Sequence, residues 1–348
     1  MIRSFLAGIF IAGVVIASCV PETTAQEKKA QPKKKERIAI ADPKDAAKDP
    51  DFAIQGEYEG EVTINDQKTK AGIHLIARGN GKFDGKAYLG GLPGSGWNGQ
   101  DTYKGSAERT ADNKVVIRDD NGGDVGELIN GVITLSGGAS GTLKKVERKS
   151  DTVGKKPPEG AVVLWVSPGD EKNWTNGKLM ELSDGKFLTV AKTGGIKSKE
   201  KFGAFKAHVE FRLAWMPNSS GQGRSNSGVY LQDRYECQVL DSFGLSGENN
   251  ECGGIYTQHK PLVNMCYPPL AWQTYDIEFT PAVFGADGKK TKNARATIYH
   301  NGVKIHDNVE FPKECPGGQK EAATPGPFQF QDHGDPVVYR NVWVVPVK

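Results

Sequence analysis

The residues of this chain best suited to chemistry fall between Asn226 and Asp241, NSGVYLQDRYECQVLD, where Glu236 stands among amides and tyrosines at alternating positions. Alternation at a period of two gives a strand its two faces, and the two runs here can pair as a β-hairpin. A two-residue turn at Asp233 and Arg234 would set Leu231 against Glu236 and Val229 against Gln238, burying acid and amide with aliphatics. A three-residue loop of Asp233, Arg234 and Tyr235 instead gathers Val229, Leu231, Cys237 and Val239 on one face, and Tyr230, Gln232, Glu236 and Gln238 on the other. The second closure separates core from site. It predicts a polar, aromatic-edged floor of the kind that holds hydroxyl-rich ligands, with an ordinary solvent-facing sheet as the alternative. In QFQDHGD a further alternation puts Gln329, Gln331 and His333 on one face. An imidazole there could shuttle a proton or bind a ligand oxygen.

These side chains need strands to hold them, and the chain supplies strand signals throughout. Short alternating runs at 57–64, 71–78, 82–89, 114–118 and 132–135 are separated by Asn80-Gly81, Asn121-Gly122 and Asn130-Gly131, which are hairpin-turn dipeptides. Residues 51–148 therefore read as a small all-β barrel or sandwich. The polar, proline-bearing stretch 149–159 reads as a domain boundary. Beyond it, strands are predicted at 161–166, 187–191, 204–215, 229–232, 236–240, 273–279, 294–300, 303–306 and 337–345, with Asn301-Gly302 closing a hairpin. That density of short strands over 160–348 predicts two packed antiparallel sheets.

At the N-terminus, Arg3 precedes an apolar run from Phe5 to Ala17 that is short for a membrane span and has the form of a secretory signal. Residues 1–25 are thus expected to direct export, to the periplasm or to a membrane-anchored lipoprotein. Two exits compete: IASC, with Cys19 as the lipidated residue, and TTA before Gln26. Residues 26–50 are rich in Lys, Ala and Pro and predict a flexible tether. They hold eight basic and five acidic side chains, which accounts for the whole net charge of +3 because Arg3 and Glu22 cancel. The remainder is formally neutral, which argues against a nucleic-acid partner. In an oxidising compartment the four later cysteines become disulfide candidates. Cys252 with Cys266 is the preferred pair, since it closes a short Pro- and Gly-rich loop at a gain of about 3 kcal/mol.

Several blocks of the second half resemble one family. NSGVYLQDRYECQVLDSFG, CGGIYTQHKPLVNMCYPPLAWQTYDIEF, ARATIYHNGVKIHDNVEFP and GPFQFQDHGDPVVYRNVWVVP, with FGAFKAHVEFR ahead of them, are similar to successive blocks of the 3-keto-disaccharide hydrolase domain, also known as the 3-keto-glucoside lyase and 2-hydroxyglucal hydratase domain. The resemblance covers 160–348 and leaves 51–148 outside. It implies a concanavalin-like jelly-roll sandwich acting on 3-oxo sugars, and hence an oxidoreductase upstream to make them.

A ketone at C3 acidifies the C2 proton, so the bond at C1 can be broken by elimination and water can then add back. Such a site needs a base near C2, an acid near the departing oxygen, and donors or a cation near the C3 oxygen. Glu236 is the first candidate for the proton-transferring group, because a low-dielectric floor would raise its basicity, with His333 as second. Tyr230, Gln232, Gln238, Tyr256, Gln331 and Arg340 are candidate substrate binders, with Arg340 able to clamp hydroxyls or enolate or else to form an inter-strand ion pair. Asp241 and Asp332 are reserve acids or turn caps. No cofactor is assigned. A divalent metal among Glu236, Asp241, Asp332 and His333 is neither supported nor removed by their spacing. There is no GxSxG elbow, Walker loop or dinucleotide fingerprint. A non-catalytic carbohydrate-binding module on the same sandwich is the competing reading.

Overall fold

A computed structural model describes residues 37–112 and 114–347. The expected signal, the Cys19 anchor and residues 26–36 of the expected tether lie outside these residues.

The fold is all-β. Eight strands between Gly56 and Val146 follow one another as an antiparallel meander, and the last pairs with the first to close a barrel. The hairpin turns have the geometry that their sequences imply: Asn80-Gly81 and Asn130-Gly131 both carry positive φ at both positions, as the tightest antiparallel connection requires. The inward residues Tyr58, Leu75, Phe83, Ile133 and Leu143 are buried and fill the barrel. A closed sheet has no free edge, so this element is a packed post.

The second half is a concanavalin-like jelly-roll sandwich of two antiparallel sheets. The larger orders the strands Lys178–Leu182, Gly185–Thr189, Val338–Val347, Ala204–Arg212, Trp272–Thr280, Ala294–His300 and Val303–Phe311, with Val162–Trp165 beside Val338–Val347. The smaller orders Trp174–Thr175, Ile196–Phe202, Gly326–Phe330, Ser227–Leu231 and Tyr235–Val239. Between them lies one apolar core, to which Phe205, Val209 and Phe211 contribute from one sheet and Val229, Leu231, Cys237 and Phe330 from the other. Period-two alternation then forces the intervening residues outward. On the larger sheet these are Lys206, His208 and Glu210; on the smaller they are Tyr230, Glu236 and Gln238.

The described part of the expected tether is folded, and so is the stretch read as a domain boundary. Asp42 and Asp49 each cap a short helix, Pro43–Ala46 and Pro50–Ile54, with proline in the first turn. Ile40 pairs with Trp215 through two backbone hydrogen bonds of 3.0 and 2.8 Å, Trp215 Nε1 donates to Asp49 Oδ2 at 3.0 Å, and Phe52 packs edge-on against Trp215. The composition of 37–50 pointed to disorder; a few apolar contacts and two caps were enough to order it. The stretch 149–159 likewise straps the outer face of the larger sheet: Gly154 N donates to Glu210, while the Lys155 carbonyl accepts from Asn341 and Trp343.

The four described cysteines are free and buried, which corrects the expected Cys252–Cys266 disulfide. Loop-closure entropy favoured that bond, and the two thiols do lie beside each other, but as hydrogen-bonded neighbours and not as a bonded pair. Cys252 Sγ lies 3.2 Å from the Tyr275 hydroxyl, and Cys266 Sγ lies 3.5 Å from the Leu240 carbonyl.

Candidate active site

The hairpin forms with a register that the sequence only half determined. Val229 faces Cys237, Tyr230 faces Glu236 and Leu231 faces Tyr235, so the loop is Gln232-Asp233-Arg234 instead of Asp233-Arg234-Tyr235. Gln232 and Asp233 take positive φ there, 55° and 60°. Relative to the expected pairing the strands have slipped by two residues, and a slip of two preserves the faces. Core and site therefore separate as expected for every residue except Gln232. Its amide is turned away, donating to the Phe202 carbonyl and accepting from Arg234, and it is not on the floor.

Neighbouring strands extend the polar face into a row. Lys197 lies opposite Gln329, Gln329 opposite Tyr230, and Tyr230 opposite Glu236. The loop after Cys252 adds itself to the sheet edge, with Cys237 bridging Ile255 and Tyr256 N donating to the Glu236 carbonyl at 3.0 Å. Tyr256 thus completes the row. In the row behind, Gln331 N donates to the Gly228 carbonyl, and Gly228 faces Gln238.

Glu236 is the most unusual group on this face. Its side chain is almost fully buried and has no cation partner among the described residues, Lys197 of the same row pairing with Asp233 instead. Tyr230 Oη donates to its Oε2 at 2.8 Å. Burial pushes the carboxyl up to about 7, the Tyr230 hydrogen bond pulling the other way. Gly228 makes room for it: a methyl group there would lie 2.1 Å from Glu236 Oε1. A glycine inside an alternating strand often marks such a close approach, and that was the one available sign of Gly228 in the sequence. Around this acid, the side chains of Gln329 and Tyr256 are half-buried with no hydrogen bond among the described residues, and Asn226 Oδ1 is buried without a partner. A polyhydroxylated ligand has donors and acceptors for all three.

Two surface hollows lie elsewhere. One of about 300 Å³ is bounded by Lys290, Arg295 and Glu310, and one of about 500 Å³ by Lys155, Lys206, Asp276 and Glu278. Their charged linings are engaged in ion pairs, Arg295 with Glu310, Lys206 with Glu278 and Lys155 with Asp276. The floor around Glu236 has unspent acceptors and a carboxyl poised near neutrality, which is the stronger mark of a reacting site.

The model of the 3-keto-alpha-glucoside-1,2-lyase-like domain matches residues 159–345, more than half of the chain. The chain belongs to that family. Two solved structures from Parabacteroides distasonis ATCC 8503, both provisionally described as glycosyl hydrolases, are similar to it. One is 31% identical over 55% of this chain and 85% of its own, with a TM-score of 0.48. The other is 18% identical over 55% of this chain and 95% of its own, with a TM-score of 0.37. A comparison with curated proteins finds no match. As a 3-keto-alpha-glucoside-1,2-lyase-like domain, the sandwich has the character of a carbohydrate-active enzyme.

Within that domain the other expected site residues divide. Gln238 lies on the floor, but its amide is spent on Gln222 Oε1 and Val239 N. Gln331 lies within 3.4 Å of the Tyr230 hydroxyl. His333 stands past the strand end, exposed and with no hydrogen bond to Glu236. Arg340 is not at the floor at all. It projects from the outer face of the larger sheet, donating to Glu210 Oε2 at 2.7 Å and stacking 4.0 Å over Trp272, because Val337 and Tyr339 just before it take the core side. Asp241 forms a buried ion pair with Arg224 at 2.6 Å. Asp332 caps a loop, accepting from Thr193 N, Gly194 N and Gly334 N. The candidate metal ligands do not gather: among the described residues no three metal-binding side chains meet.

Missed by sequence reasoning were Gln222 and Asn226, which tie the floor to the preceding loop, and the segment Cys315–Gly317. The last meets the site through Pro316 O, 2.8 Å from Tyr230 Oη. Gln222 and Cys315–Gly317 lie outside any alternating run, so nothing in periodicity pointed to them.

Proposed function

We propose that this protein cleaves 3-keto-glycosides, with Glu236 removing the C2 proton, elimination of the C1 substituent, and hydration completing a net hydrolysis. The observation that carries this reading is the buried, cation-free carboxyl of Glu236, raised to about 7 by its surroundings. At neutral pH such a group is divided between base and acid, so it can accept a proton from carbon and return it to the double bond or the leaving oxygen. Elimination next to a ketone needs no second carboxylate across the bond, which fits a floor holding one acid among amides and tyrosines. Gln329, Gln331, Asn226 and Tyr256 supply the polar atoms for sugar hydroxyls, with His333 at the open rim as the candidate partner for the departing oxygen. The substrate class implies a preceding oxidation of the sugar at C3 by another enzyme.

The test compares an oxidised with an unoxidised disaccharide. Purified protein is expected to release 3-ketoglucose from the first and to leave the second intact, and Glu236→Gln is expected to abolish that release. Binding of both sugars without turnover would replace this reading with that of a carbohydrate-binding module.

A further inference from the structure

Tyr230 has one hydroxyl hydrogen and two acceptors for it. Its Oη lies 2.8 Å from Glu236 Oε2 and 2.8 Å from the Pro316 carbonyl, while Gln331 Nε2 approaches it at 3.4 Å. A phenol hydrogen serves one acceptor well at a time. We propose that Tyr230 is a two-way hydrogen-bond switch, a positioning residue that lets Glu236 gain and lose a proton without moving. The inference rests on the reading of Glu236 as the base.

With Glu236 ionised, the Tyr230 hydrogen points to Oε2, and the carbonyl of Pro316, an exposed residue, is left to solvent. When the carboxylate takes one proton from the substrate carbon, the new acid hydrogen on Oε2 points to Tyr230 Oη. The phenol hydrogen rotates to Pro316 O. Every heavy atom keeps its place, one proton has been gained, and reversing the rotation releases it again. Each state of the buried acid is therefore hydrogen-bonded through Oε2 to the same hydroxyl, which donates to the ionised form and accepts from the neutral one.

The surroundings are arranged for this. Tyr230 is fully buried, so water does not compete for its hydrogen. Gly317, at φ +82°, lets the loop come close: a methyl group there would meet Tyr230 Oη at 3.0 Å. The other titratable groups facing Glu236 are Cys315 from the same loop, Cys237 and Tyr339 beneath the sheet, and Tyr256 beside it in the row. Burial drives Cys315 up to about 11 and Cys237 and Tyr339 higher still. Cys315, Cys237 and Tyr339 stay neutral while Glu236 titrates.

The experiment follows the Glu236 carboxyl by carbon-13 NMR in the resting protein, its signal assigned by loss in Glu236→Gln. The acid limb of kcat/KM on a 3-keto-disaccharide is measured in parallel. Tyr230→Phe removes both hydrogen bonds, of which the one to the charged carboxylate is the stronger, and should raise the Glu236 titration by about 0.5–1 pH unit. Gly317→Ala should push the loop and its carbonyl away, remove the support of the neutral form, and lower the titration. Shifts of opposite sign support the switch; general loosening of the packing would lower both. The switch is overturned if Tyr230→Phe leaves the titration within a few tenths of a unit, or if both variants move it the same way. If instead the shifts appear as expected but Glu236→Gln retains turnover, the base assignment fails while the switch stands as a property of the pair.

Discussion

A carboxyl raised to about 7 must leave its mark on stability as well as on turnover. Unfolded, Glu236 ionises near the ordinary glutamate value; folded, it holds its proton to a higher pH. The folded state therefore binds more protons through the interval between, and stability falls as pH rises through it. Glu236→Gln removes that liability. The variant is expected to be inactive yet more stable than the parent by about 1–3 kcal/mol at pH 8, with the difference vanishing near pH 4. Denaturant unfolding at the two pH values measures it, and equal stability at both would show that the acid titrates normally. The same residue shows how far the sequence could be read. Its type, its face and its aliphatic underside followed from alternation. The Pro316 carbonyl that meets its partner Tyr230 did not, because a loop that arrives 86 residues after that tyrosine leaves no periodic trace.

At the level of strands and sheets, side-chain face was legible and sheet identity was not. Arg340 sits in a strand whose alternation is plain, yet nothing in that strand says which of two sheets it joins or which outer surface it reaches. The structure gives it to Glu210, a buried acid that also accepts from Gly154 N and Asn341 and lies 3.3 Å from His208. Burial opposes its ionisation, but these hydrogen bonds prevail and hold it at about 2. Arg340→Met is thus expected to cost about 1–3 kcal/mol and to leave KM unchanged. Glu210 contributes stability above the normal glutamate pKa and loses it as pH falls toward 2, so the gap between variant and parent should narrow in acid. A raised KM without loss of stability would return Arg340 to the substrate site. Gln232 makes the same point on a smaller scale: the register slipped by two, and only the residue nearest the turn changed surroundings.

For the molecule as a whole, strand content and turn chemistry announced an all-β chain in two parts, but how the parts hold together was hidden. Arg224 is the clearest bond between them. Buried beside Asp241, it also donates to the Ala77 carbonyl in the barrel and to Gln55 Oε1 at its entrance. Truncating one member of a buried pair typically costs about 3–5 kcal/mol. Arg224→Met should lower stability by that order and divide a single calorimetric transition into two, with barrel and sandwich melting apart. One unchanged transition would mean that the apolar contacts around Trp215 suffice to join them. The composition of residues 37–50 was read as disorder for the same reason: their partners lie far along the chain.

That distance has a consequence for biosynthesis. Asp49 and the Trp215 indole that it receives are 166 residues apart, so at ribosomal speeds of 5–20 residues per second the N-terminal strap waits roughly 10–30 s for its mate. The meander behind it needs no such delay, since each strand meets its neighbour as soon as both exist. A nascent chain halted before Trp215 emerges should therefore carry a finished barrel with a frayed leading end.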